Sequence, residues 1–210
     1  MIYVYGDSHA AASFKRLQIP YSDCHHNSIT MFRIGRDNVI INFNSANHTN
    51  DSIICLVYGE VDCRCHVQRQ IDLGANEDNV INELVCNYFK TIANNIKAHK
   101  KIIVVGTTSQ IDYETLNSPI EHEFPFVGND KDRVRYTMKI NVLIEEYCNI
   151  NEYVYFNPYN YYTRDDGTLK YEFSDKCVHL GDNSVFLEQF MDVLYKNNKQ
   201  ITSAVRLHIF

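Results

Sequence analysis

Short apolar runs alternate along this chain with longer stretches that are apolar on one helical face, and three of the runs stop at a glycine. Residues 1–5 end at Gly6, residues 52–58 at Gly59 and residues 102–105 at Gly106. Residues 38–43, with Val39, Ile40, Ile41 and Phe43, and residues 153–156 complete five predicted strands. Between them, residues 77–98 carry Val80, Ile81, Leu84, Val85, Tyr88, Phe89, Ile92 and Ile96 at helical spacing. Residues 130–147 repeat that pattern with Ile140, Leu143, Ile144 and Tyr147, and residues 182–195 repeat it with Phe186, Leu187, Phe190, Val193 and Leu194. A shorter helix is expected over residues 10–17. Apolar strands alternating with amphipathic helices imply βαβ crossovers, hence a parallel sheet covered on both faces. The expected fold class is α/β with a five-stranded parallel sheet.

No repeat, low-complexity tract or Gly/Ser linker divides the 210 residues, so residues 1–210 are expected to form one domain. Apolar residues at 45% and charged residues at 22% exclude a disordered, collagen-like or coiled-coil chain. No apolar run approaches the roughly 18 residues of a membrane helix, and the first residues lack the basic region of a signal peptide. No membrane association is expected. Net charge is −6, which argues against a general nucleic-acid binder. Seven cysteines, an odd number, read as reduced thiols and a cytoplasmic, reducing compartment.

Ligands of such sheets bind beyond the carboxyl ends of the strands, and reactive residues gather there. Gly6-Asp7-Ser8-His9 follows the first strand. Gly59-Glu60-Val61-Asp62-Cys63-Arg64-Cys65-His66 follows the third, and Gly106-Thr107-Thr108-Ser109 follows the fourth. Asp175-Lys176-Cys177-Val178-His179 precedes the last helix. A serine at a strand-to-helix turn exposes its hydroxyl, and its backbone N–H faces any developing oxyanion. A later Asp and His supply a base and its orienting carboxylate. The plainer reading makes Asp7 or Ser8 an N-cap. Neither Cys63-x-Cys65-His66 nor Cys24-His25-His26 has the paired spacing of a zinc site, so no metal is expected. No phosphate loop or dinucleotide fingerprint occurs, so no cofactor is expected.

These blocks, in this order, resemble the SGNH (GDSL-like) hydrolase superfamily over about residues 1–196. The resemblance implies a three-layer flavodoxin-like fold and an esterase, lipase, carbohydrate deacetylase or O-acetyltransferase activity. It makes Ser8 the nucleophile and an oxyanion donor, His179 the base and Asp175 the acid that orients it. The family spacing is Asp-x-x-His, and here it is one residue longer, so either Asp175 or a backbone carbonyl orients the ring. The family's third block is Gly-x-Asn-Asp, with the Asn donating to the oxyanion, and here Val61 stands in its place. Arg64 is the candidate replacement, or a binder of an anionic substrate group, or a partner of Glu60 or Asp62. Asn27, Ser28 or Gly35 answers for the second block. The expected oxyanion and substrate set is therefore Ser8, Asn27, Ser28, Gly59, Glu60, Asp62 and Arg64. The third block, with the segment Asp132-Arg133-Val134-Arg135-Tyr136 and Asn141, is similar to a subgroup found in glycan-related contexts. A small-molecule or glycan ester is the expected partner, with Tyr159, Tyr161 and Tyr162 available to stack on sugar rings. A catalytically weak or inactive module that binds glycans or a protein is the other reading.

Overall fold

The structure is a computed structural model, and it describes residues 1–38, 48–49, 51–96, 101–113, 116 and 124–197. Five parallel strands form one sheet in the order β2-β1-β3-β4-β5. They are β1 (Ile2–Gly6), β2 (Tyr21–Asp23), β3 (Ile53–Val57), β4 (Lys101–Val105) and β5 (Val154–Phe156). Ile2 pairs with Tyr21 on one side and Ile53 on the other, and Ile53 pairs with Lys101. The helices are α1 (Ser8–Phe14), α2 (Met31–Asp37), α3 (Val67–Asp72), α4 (Glu77–Asn95), α5 (Asp130–Asn151) and α6 (Ser184–Asn197). One π-helical turn, Asp62–His66, leads into α3.

Side chains alternate across a strand, so each strand supplies two cores. Tyr3, Tyr5, Ile54, Leu56, Ile102 and Val104 face Ile34 of α2, Leu84, Val85 and Tyr88 of α4, and Ile140 and Ile144 of α5. Ile2, Val4, Cys55, Val57, Ile103 and Val105 face Phe14 of α1 and Phe186, Phe190 and Leu194 of α6. Helices thus cover both faces, which is the expected three-layer α/β arrangement. Burial on both faces explains why β1 and β3 are apolar throughout. Side-chain caps start the helices: Asp7 accepts from the His9 N–H, Thr30 from Arg33, Asn76 from Asn79 and Asn129 from Asp132.

The described sheet contains a strand that the apolar pattern does not mark: the one beside β1 is Tyr21–Asp23, whereas that pattern expects a strand at residues 38–43. Asn38 is the left-handed C-cap of α2, with φ 61°, and residues 39–43 lie outside the described residues. As a three-residue edge strand, β2 is only partly buried and carries no apolar run for the sequence to show.

Candidate active site

Strand ends set the stage. Gly6 closes β1 so tightly that a Cβ there would collide with Ala10 and with the Val57 carbonyl. The chain therefore turns at once from β1 into α1, with Asp7 as N-cap and Ser8 as the first helical residue. Gly59 turns the chain after β3 with φ +115°, a conformation that disfavours side chains, and packs directly on Thr107. The loop after β4 is pinned by Asn141 of α5, which accepts from the Thr107 N–H (2.6 Å) and donates to the Thr107 carbonyl (3.0 Å).

Ser8 and His179 are 171 residues apart in sequence, yet His179 Nε2 lies 2.8 Å from Ser8 Oγ. On its other side, His179 Nδ1 lies 2.8 Å from Asp175 Oδ2. The structure therefore brings together all three residues expected to be catalytic, and a carboxylate rather than a backbone carbonyl meets the ring. The extra residue between Asp175 and His179 is absorbed by a left-handed turn, with Lys176 at φ 70°. The Asp175 N–H donates to the His179 carbonyl (2.9 Å) and closes the turn. Asp175 Oδ1 accepts from the Cys177 N–H (2.9 Å) and the His179 N–H (3.1 Å). Partial burial works to raise the Asp175 carboxyl, but the His179 hydrogen bond and charge and the two backbone donors outweigh it. The group stays below its ordinary range.

The third block turns inward. Arg64 donates through Nε to both Glu60 oxygens (3.0 and 3.2 Å) and through Nη1 to the Phe124 carbonyl (2.7 Å). Its guanidinium lies 5.5 Å from the Phe126 ring centroid. Glu60 Oε2 also contacts His9 Nε2 at 2.8 Å, an ion pair whose angle departs from hydrogen-bond geometry. All three side chains are buried. Burial alone would raise Glu60, but the charges of Arg64 and His9 pull it to about 2. Burial would lower His9, but Glu60 overrides this and the imidazole stays cationic more readily than in water. Removing one member of such a buried pair generally costs about 3–5 kcal/mol.

Asp62 is fully buried, and its two oxygens accept from the Met31 (2.9 Å) and Phe32 (3.1 Å) N–H groups at the start of α2. Burial outweighs these two bonds and pushes its carboxyl up to about 7. Two expectations change accordingly: Asp62 and Glu60 face buried partners rather than substrate. For Arg64 the structure selects one of the expected alternatives, the partner of Glu60, and its Nε and Nη1 are directed inside the protein. Val61, also buried, offers no replacement. Of the second-block candidates, Asn27 is exposed, and Ser28 is half-buried with φ 69°, a left-handed conformation at a position with a side chain. Gly35 lies within α2, packed against Asn87.

Other expected features move as well. Tyr159 and Tyr162 are core residues, while Tyr161 alone of the three is exposed. Cys63 and Cys65 are buried, leaving Cys177 as the half-exposed thiol of the site loops. Among the described residues, no group of three or more His, Cys, Asp or Glu is arranged to hold a metal ion. The sequence places His9 simply in the first helical turn. In the structure its ring lies 4.7 Å from that of His179, and no motif signals that proximity.

No protein-family model matches the chain, and no curated protein matches it in sequence. Solved structures do match. A Streptococcus pneumonia chain provisionally named a platelet activating factor superposes with a TM-score of 0.66 at 15% identity, over 92% of this chain and 83% of that one. A GDSL-like lipase from Bacteroides thetaiotaomicron gives 0.54 at 16% identity, over 93% and 88%. Phospholipase A1 from Streptomyces albidoflavus gives 0.53 at 11% identity, over 91% and 98%. At these identities the likeness is one of architecture: the chain shares the three-layer α/β fold of these structures.

Proposed function

We propose that the chain is a serine ester hydrolase of SGNH type, acting on O-acetyl esters of a carbohydrate. The observation that carries this reading is the pair of contacts on the two ring nitrogens of His179, Nε2 to Ser8 Oγ and Nδ1 to Asp175 Oδ2, both 2.8 Å. With Asp175 ionised, Nδ1 keeps its proton and Nε2 is free to accept one. Ser8 Oγ attacks the ester carbonyl as its proton passes to Nε2. The tetrahedral oxyanion faces the Ser8 N–H at the start of α1. Collapse expels the sugar alkoxide, which leaves with the Nε2 proton, and the acyl group stays on Ser8. Water then repeats the sequence and releases acetate, or a second sugar hydroxyl takes the acyl group.

The preference for a short acyl group on a sugar rests on which exposed residues the strand-end loops carry. The exposed large aliphatic residues among those described are Met1, Leu73, Met138, Val142 and Ile150, and none lies in the loops after β1, β4 or β5. Tyr113 and Tyr161 are the exposed large apolar residues in the loops after β4 and β5, and an aromatic face suits a sugar ring better than an acyl chain. The Gly59–Arg64 block, similar to that of a glycan-associated subgroup, points the same way. The seven unpaired cysteines suit a reducing compartment.

One observation favours a second reading, an inactive module that binds glycans. It is the buried Val61 where the family has its donating Asn. A fluorophosphonate probe with intact-mass readout separates the two. A stoichiometric adduct that disappears in Ser8→Ala supports the enzyme. No adduct together with no hydrolysis of 4-nitrophenyl acetate supports the module. Acetate release measured with and without sugar acceptors then decides between hydrolysis and transfer, and no stimulation by acceptor counts against transfer.

A further inference from the structure

The base His179 rides on a loop, and Ser174–Leu180 is the one isolated bridge that ties this loop to itself among the described residues. Its carboxylate partner Asp175 has a side chain that is 37% exposed. Asp175 and Ser8 hold the ring at its two nitrogens, but a rocking of the ring about that line is opposed by what packs on its face, and His9 is placed there. Its ring centroid lies 4.7 Å from that of His179, with the planes inclined by 50°. His9 is held from the side of the sheet, independently of the Asp175–His179 turn. Its backbone N–H donates to Asp7 Oδ1 (2.9 Å) in the first turn of α1, and its Nε2 meets Glu60 Oε2 at 2.8 Å. Glu60 is fixed by Arg64, which is anchored on the Phe124 carbonyl. The side chains of His9, Glu60 and Arg64 are only 3–5% exposed, so none of them is open to substrate.

We propose that His9 is a positioning residue: its ring, clamped by Glu60 and Arg64, is the wall against which His179 rests so that Nε2 stays aligned with Ser8 Oγ. The kinetic side of this proposal rests on the serine hydrolase reading above. The third block would then serve the reaction from behind the base rather than from the oxyanion side. A misplacement of about 1 Å in a reacting group costs on the order of 10²-fold in rate, which sets the scale expected here.

Two substitutions separate the ring from its polar partner. His9→Gln keeps a donor within reach of Glu60 but removes the ring, whereas His9→Phe keeps a ring but loses the donor. His9→Gln is expected to lower kcat for 4-nitrophenyl acetate by about 10- to 100-fold, with KM within about twofold. His9→Phe is expected to recover most of that loss. A second readout needs no turnover: the downfield proton resonance of the His179 Nδ1–H to Asp175 hydrogen bond. It should be sharp in the unmodified protein and in His9→Phe, and broadened or lost in His9→Gln, at temperatures where melting curves show both variants folded. An unchanged kcat and resonance in His9→Gln would overturn the proposal. So would a His9→Phe variant no better than His9→Gln, because the polar contact alone would then matter. Absence of turnover and labelling in the unmodified protein would sink the hydrolase reading, and the resonance would still judge His9 by itself.

Discussion

Replacing Asp175 by Asn should damage the reaction more than replacing it by Ala, and the reason lies in how the turn fixes the carboxylate. Oδ1 accepts two backbone N–H groups, those of Cys177 and His179, while Oδ2 accepts from His179 Nδ1. An Asn must place its oxygen and its NH2 group on those two sites. The NH2 group facing the two N–H donors would forfeit two hydrogen bonds, about 2 kcal/mol in all, a preference of about 30-fold for the other orientation. The NH2 group therefore faces His179 Nδ1, which can then only accept. The proton moves to Nε2, and Nε2 can no longer take the Ser8 proton. The same tautomer error in a serine protease triad lowers kcat by about 10⁴. Asp175→Asn is expected to lose about 10³–10⁴ in kcat, about 4–5 kcal/mol of barrier. Asp175→Ala leaves Nδ1–H open to water, since the His179 side chain is 24% exposed. It is expected to lose less in kcat than Asp175→Asn while melting lower, because the Cys177 and His179 N–H groups lose their acceptor. Rates with 4-nitrophenyl acetate, rates of fluorophosphonate labelling and melting curves for both variants test this. An Asn variant that keeps more than about a tenth of the activity, or an Ala variant slower than the Asn one, would refute the tautomer argument.

Two further outcomes follow from the buried charges and the turn. The Asp62 carboxyl is raised to about 7 in the folded chain, so folding favours its protonated form. Its contribution is present at pH values below its unfolded value and is lost as pH rises towards 7. Urea unfolding at about pH 5 and about pH 8 should show wild type losing on the order of 2 kcal/mol relative to Asp62→Asn, and equal changes in the two proteins would contradict the assigned burial. Lys176 holds φ 70°, a conformation that costs a non-glycine residue about 1–2 kcal/mol. Lys176→Gly should melt no lower than wild type even though its Nζ leaves the Tyr171 carbonyl and ring, whereas Lys176→Val should melt lower.

Much of this layout is legible in the sequence, for identifiable reasons. β1, β3 and β4 are buried on both faces, so their apolar runs are continuous and their ends are marked by Gly6, Gly59 and Gly106. The Ser8, Asp175 and His179 blocks can be read because each sits where a strand end meets a helix. β2 cannot be read, since two half-exposed residues and one exposed residue at a sheet edge carry no periodic signal. α2 escapes for a different reason: part of its start is held by Asp62 from 30 residues away, and no local pattern records that. The inward turn of Glu60 and Arg64 does leave a trace. Residues four apart on a helical turn can pair, and the pair is seen here. What no pattern shows is that the same carboxylate also meets His9 from α1. Tyr159 and Tyr162 mislead because a loop rich in aromatics reads alike whether it covers a ligand or packs on α6.

The two departures from the family pattern have opposite consequences. The longer Asp175–His179 spacing is harmless, since a left-handed Lys176 takes up the added residue and both hydrogen bonds of the His179 ring survive. Spacing along the chain is thus a weaker guide than the geometry it must produce. The Val61 departure has no such remedy in the polar side chains of its own block. Glu60 is spent on His9 and Arg64, Asp62 on α2, and Arg64 on Glu60 and Phe124. Loss of one oxyanion donor generally costs about 2.7–4 kcal/mol of transition-state stabilisation. A site built this way, with backbone N–H groups carrying the oxyanion, suits leaving groups that need little help. Acetyl esters meet that condition better than amides, which agrees with the ester hydrolase proposed above and rests on the same resemblance.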